Sequence, residues 1–255
     1  MVCKNCDSSL RSDFSYCPNC GAKIIRNRLT IKNIWQDLSF QVFNLDNTLL
    51  KTFRHLFTSP EKVVESFISG TRKKYMNPIS YFAIAITLSG ILFFVLRRIY
   101  EVNLTGNSLT EANTPNLDFI FDYQGLLSYL IMPIYALMTW LLFLDKNKLN
   151  YTEHLVANSY TTAQASFVQV IVCLPLFGLF DIPYDVFNWI FLVLIVVYQF
   201  FVFGRIHETS IMNTFLRGLA YLFLLVFVMV AIGILIVGLM LLVGKVNVQD
   251  FAPKP

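Results

Sequence analysis

Long uncharged apolar runs, basic residues gathered at their ends and two CxxC pairs within the first twenty residues predict a mainly α fold. The expected architecture is a multi-pass helical membrane bundle of about five spans behind a small N-terminal zinc ribbon. A chain that is 56% hydrophobic and 14% charged, with a mean hydropathy of +0.58, is no ordinary soluble protein. The net charge of +4 does not point to nucleic acid, because the basic residues sit at the ends of apolar runs. There they set topology and meet anionic lipid headgroups. The opening MVCKNCDSSL is not a basic region followed by an apolar one, so the N-terminus is expected in the cytoplasm.

Residues 1–22 hold Cys3, Cys6, Cys17 and Cys20, as a CxxC, ten residues, then CPNCG. Each pair can present two thiolates from a tight knuckle, and the excursion lets the second pair complete a tetrahedron around zinc. In a reducing compartment such pairs favour metal over disulfide. A redox reading would need a surrounding βαβ pattern, which the sequence lacks. Twenty residues build little core, so the zinc is expected to be structural and to supply the folding energy.

Residues 23–33 form a basic linker, and 34–77 carry apolar residues at helical spacing without reaching spanning length. Leu49, Leu50, Phe53, Leu56 and Phe57 line one face of a short helix with Asp46 as its expected N-cap. Ser59 before Pro60 and Glu61 starts a second helix that Gly70 ends. Two such amphipathic helices either lie in the membrane interface or cover the bundle from below. Arg72, Lys73 and Lys74 then hold the entry to the first span at the inner membrane surface.

That span, 78–96, has no charge, and its eleven Leu, Ile, Val and Phe residues give roughly −3 to −7 kcal/mol of gross insertion free energy. Further spans are expected over 126–144, 159–180, 187–203 and 219–243, making 78–244 the bundle and 245–255 a tail. The loop after Arg98 is acidic and includes the sequon Asn103-Leu104-Thr105. Ser159, Thr162, Ser166, Gln169 and Cys173 recur three and four apart, a polar stripe on the third span that either packs against other helices or lines a path. Gln164 falls off it and needs a partner of its own. Glu153, His154, His207 and Glu208 lie on two connectors of one side and form a candidate acid, base or metal cluster. Lys62, Arg72, Lys73, Lys74, Lys146, Lys148, Arg205 and Arg217 on one side, against Arg97, Arg98, Lys245 and Lys254 on the other, predict an inside N-terminus and an outside C-terminus.

The order of CKNC, CPNCG, NLDNTLLKTFRHLFTSPEKVVESFISGTRKKYMNPISYF, NYTEHLV and VYQFFVFGRIHETS resembles a bacterial family known as domain of unknown function 3667. The likeness runs from residue 3 to about residue 225 and is most specific between Asn44 and Phe82. It implies a zinc ribbon followed by a multi-pass inner-membrane region and no established activity. Asp7 replaces the Gly common after the first CxxC.

Three functions fit these features. A membrane adaptor or regulator would use the zinc ribbon to meet a protein partner in the cytoplasm. A small transporter or channel, assembled as a homo-oligomer, would use the polar stripe. A membrane enzyme would use the Glu153, His154, His207 and Glu208 cluster.

Overall fold

The computed structural model describes residues 2, 3, 5–21, 48–71, 73–104, 123–180 and 182–242. Linker 23–33, Asp46, Arg72, most of the acidic loop with Thr105 of the sequon, and the tail with Lys245 and Lys254 lie outside these residues. The chain divides into two compact units, Met1–Asp46 and Asn47–Pro255.

The larger unit is all helix among its described residues. Helix α1 covers 48–58, followed by α2 (Pro60–Ile68), α3 (Pro78–Arg98), α4 (Gln124–Leu142), a 3-10 turn (Leu144–Lys146), α5 (Tyr151–Leu179), α6 (Tyr184–His207) and α7 (Ile211–Leu242). Helices α3 to α7 are five stretches long and apolar enough to cross a membrane.

Local chemistry sets the helix ends. Pro60 and Pro78 stand in the first turns of α2 and α3, where no backbone N–H is needed, and Asn77 caps α3 by accepting from the Ile79 N–H at 2.9 Å. Helix α2 stops in a Schellman turn. Gly70, at φ +96°, donates to the Phe67 carbonyl while Thr71 donates to that of Ser66. Two helices begin eight residues ahead of the expected spans. Helix α5 starts at Tyr151 because Asn150 and Glu153 form a capping box, with reciprocal bonds of 2.9 and 2.8 Å. Helix α7 starts at Ile211, where Ser210 accepts from Asn213 and Thr214. Hydropathy marks where lipid begins, whereas caps mark where the helix begins, so the connectors expected at 145–158 and 204–218 are partly helical.

Helix α5 is central. It packs most extensively on α3, then on α4 and α6, while α7 lies against α6 and α4. Ala157, Ala163 and Ala85 are fully buried at these contacts and allow close approach. Aromatic rings fill the rest, with Tyr81 and Phe167 at 4.9 Å between centroids.

The two short helices are packed onto this bundle. Leu56, Val63 and Val64 are fully buried. Gln164 takes the hydroxyl of Tyr81 on its amide oxygen and donates its Nε2 to the Phe53 carbonyl at 3.0 Å. The Tyr198 hydroxyl donates to the Leu56 carbonyl at 3.2 Å, and that of Tyr160 to the Met76 carbonyl at 2.6 Å. The Met76 N–H donates to Thr52 Oγ1 at 2.9 Å. Arg205 holds Glu61 at 3.0 Å, and Lys148 joins Glu65 and Glu208 at 3.2 and 2.9 Å.

Two predictions follow from this docking. Gln164→Leu strands the buried Tyr81 hydroxyl and should lower stability in detergent by about 1–2 kcal/mol, whereas Ser166→Ala should change it by less than about 0.5 kcal/mol; thermal unfolding measures both. Burial acts to raise the Glu61 pKa, but the Arg205 guanidinium outweighs it and holds the carboxyl below its ordinary value. Its contribution is therefore complete above the unfolded pKa of about 4.3 and fades as pH falls through the lower folded value. Protection of the α2 amides, taken relative to their intrinsic exchange rates, should fall between pH 5 and pH 3, and Glu61→Gln should flatten that fall.

Candidate functional site

The N-terminal unit is built by two matching knuckles. The Asp7 N–H donates to the Cys3 carbonyl at 2.9 Å, and the Gly21 N–H to the Cys17 carbonyl at 2.9 Å. Each turn ends in the left-handed region, with φ +55° at Asp7 and +71° at Gly21. This is why Gly suits both positions and why Asp, which tolerates that region better than most residues, is an acceptable replacement. Among the described residues of this unit, Leu10 and Phe14 pack beside Cys3, Cys6 and Cys17 as a small hydrophobic cluster.

The four sulfurs lie within 4.8 Å of one another, with Cys3 to Cys20 at 3.7 Å and Cys6 to Cys17 at 3.6 Å. A tetrahedral thiolate complex with metal–sulfur bonds of about 2.3 Å places its sulfurs about 3.8 Å apart. The donor set therefore fits one metal ion. Ser8 supports it from outside, its hydroxyl 3.1 Å from the Cys6 sulfur and 3.3 Å from that of Cys17. That hydroxyl, together with the Cys20 and Asn19 N–H groups, pushes the Cys17 thiol down to about 6. Ser8 also lowers Cys6. Thiolates are the form in which cysteine binds metal.

In the bundle a second cluster joins four helices. Thr139 of α4 sends its hydroxyl proton to the carbonyls of its own helix, Tyr135 and Ala136, both at 3.1 Å. Its oxygen accepts from Asn158 Nδ2 at 2.7 Å and faces His154 Nδ1 at 3.1 Å, so Nδ1 carries the imidazole proton. Asn158 Oδ1 accepts from Gln199 of α6 at 2.8 Å, and Gln199 reaches the Tyr221 hydroxyl of α7 at 3.4 Å. His154 stacks on His207 at 5.5 Å, and His207 stacks on Phe143 at 4.4 Å. Both imidazoles are buried, and neither ring nitrogen of His207 has a hydrogen-bond partner among the described residues. Arg217 lies over the other neighbour of this stack, 4.8 Å from the Phe143 centroid. It bonds the Leu142 carbonyl and grips Asp145 through two nitrogens at 2.7 and 2.6 Å. That grip holds the Asp145 carboxyl below its usual range.

Of the four connector residues, His154 and His207 come together, while Glu153 caps α5 and Glu208 pairs with Lys148. Along the polar stripe, Ser159, Thr162, Ser166 and Gln169 are half-buried. Cys173 is fully buried beside Leu92, Phe93 and Phe177. Ser159 bonds its own helix at the Leu155 carbonyl. The buried polar face is instead His154, Asn158, Thr161 and Gln164. Sequence reasoning missed Thr139, Asn158, Gln199 and the pair Asp145 with Arg217. A lone Gln199 within the apolar run VVYQFF was the available signal. Lys73 and Lys74 are exposed ahead of α3. Arg97 and Arg98 stand at its far end, lining a groove of ≈ 540 Å³ between α3 and α4 with Gly90 and Gln124.

Fold and site together define a multi-pass membrane protein with an N-terminal four-cysteine motif able to hold a metal ion. A family model described as "Protein of unknown function (DUF3667)" matches residues 46–90, which take in α1, α2 and the first half of α3. Neither a curated protein nor a solved structure matches the chain.

Thr139→Val should leave His154 and Asn158 short of an acceptor and lower bundle stability by about 1–2 kcal/mol, against less than about 0.5 for Thr162→Val. In the N-terminal unit, Asp7→Gly should preserve metal stoichiometry and slow metal loss to a chelator, because it relieves about 1 kcal/mol of backbone strain.

Proposed function

We propose that the protein is an adaptor or regulator of the bacterial inner membrane whose N-terminal zinc ribbon meets a protein partner in the cytoplasm while the bundle anchors or senses. The observation that carries this reading is the closed donor set. Four thiolates fill a tetrahedral zinc, leave no position for substrate and make the metal a structural element. On this reading Cys3, Cys6, Cys17 and Cys20 are the ligands, 23–33 is a linker, and Arg72, Lys73 and Lys74 hold the entry to α3 at the inner leaflet. The C-terminus then lies outside. The small ribbon exposes Val2 and Tyr16, at 62% and 56%, and exposed aromatic side chains are common anchors at protein interfaces. Surrounding lipid covers the long apolar face of α7, where Phe223 and Phe227 are exposed.

Purified full-length protein should carry one zinc per chain, and Cys17→Ser should lose it. Crosslinking in membranes should map a partner to residues 1–22. Tyr16→Ala should keep the zinc and weaken that crosslink about tenfold or more. A zinc content near zero overturns the metal reading, and partner crosslinks that avoid residues 1–22 overturn the adaptor reading.

A further inference from the structure

A group of cations is organised around one buried tyrosine at the entry to α3. Tyr75 is 4% exposed, and its hydroxyl is bonded to His55 Nδ1 at 2.8 Å. The ammonium groups of Lys51 and Lys74 lie 5.7 and 5.4 Å from its ring centroid, so two like charges share one ring. Arg54 lies one turn beyond Lys51 on α1 and is exposed. After burial, the charges of Lys51, Arg54, Lys74 and Lys62 hold the His55 pKa below its ordinary value. Glu61, whose charge acts on Tyr75, is already held by Arg205 at 3.0 Å. Gathering cations in this way is costly without an anion, and each is worth about 1 kcal/mol near an anionic lipid surface.

Two further features specify the anion. Leu50 and Phe57 of α1 are exposed at 65% and 43%, so an apolar surface adjoins the basic one. Helix α3 begins three residues after Tyr75, which sets the cluster where the apolar span meets the headgroups. We propose that Lys51, Arg54, His55 and Lys74 form a binding site for the phosphate of an anionic phospholipid, with Leu50 and Phe57 against its acyl chains. The cations match the phosphate and the apolar pair matches the chains, and Arg54 can grip two phosphate oxygens at once. All six residues fall within 46–90, the segment that the family model matches.

The test uses full-length protein in detergent, titrated with phosphatidylglycerol or phosphatidylcholine and read by native mass spectrometry. Wild type should retain phosphatidylglycerol about tenfold better, as expected for two or more cations at about 1 kcal/mol each. Lys51→Gln with Lys74→Gln should bring the preference below about threefold, while Lys146→Gln should keep it. Should the double glutamine variant unfold, Lys51→Arg with Lys74→Arg serves instead and should retain the preference, whereas Arg54→Gln should reduce it. Unchanged preference in the folded double glutamine variant, or in Arg54→Gln, overturns the site. Millimolar glycerol 3-phosphate should not displace the lipid; equal competition overturns the lipid in favour of a soluble phosphate.

Discussion

The side-chain amide of Gln164 is the interaction on which the bundle's organisation rests. It sits fully buried on the central helix and joins three elements: its own α5, α3 through the Tyr81 hydroxyl, and α1 through the Phe53 carbonyl. Between spans in lipid there is little hydrophobic drive for one helix to prefer another, because the hydrocarbon is as apolar as leucine. Packing of alanines against rings and hydrogen bonds between helices therefore decide which faces meet. Gln164 with Tyr81 fixes the rotation of α3 on α5, Asn158 with Thr139 and Gln199 fixes α4 and α6, and Tyr221 brings α7 into the same chain. The polar groups lie at successive turns of one helix face, and this makes α5 the organising element.

Much of this was legible in the sequence, and the part that was not has one physical cause. The five long helices follow from apolar length, and the start of α2 follows from Ser59-Pro60. The polar face of α5 did not follow from counting polar residues at helical spacing. Serine and threonine can return their proton to a carbonyl of their own helix, as Ser159, Thr87 and Ser128 do. They can therefore face lipid. An amide or imidazole has more polar atoms than its own helix can satisfy: Asn158 returns one donor to the His154 carbonyl at 2.8 Å but also needs Thr139 and Gln199, and His154, Asn158, Gln164 and Gln199 turn inward. A stripe drawn through the serines consequently lies beside the buried face. The extension of α5 back to Tyr151 was hidden because a capping box is polar and looks like a connector.

The four-cysteine unit was legible for the opposite reason. Its geometry is local, with each knuckle determined by four or five consecutive residues, and the departure at Asp7 is explained by one backbone angle. The pairing of His154 with His207 lay between these extremes. Topology placed both connectors on one side, but only the helical extension of α5 and the stacking on Phe143 and Phe203 bring the rings together and leave the carboxylates elsewhere.

The docking of α1 and α2 also carries an order of events. Gln164 emerges 111 residues after its acceptor Phe53, and Tyr198 emerges 142 residues after Leu56. At ordinary translation rates those intervals correspond to roughly 5–30 s. During that time the two short helices exist while the grooves that receive them do not. Their amphipathic character gives them a place to wait at the membrane surface, and the Lys148 bridge to Glu65 and Glu208 can close only after α6 has been made. The helices of the bundle unit made first thus reach their final seat late, as a latch on an assembled bundle.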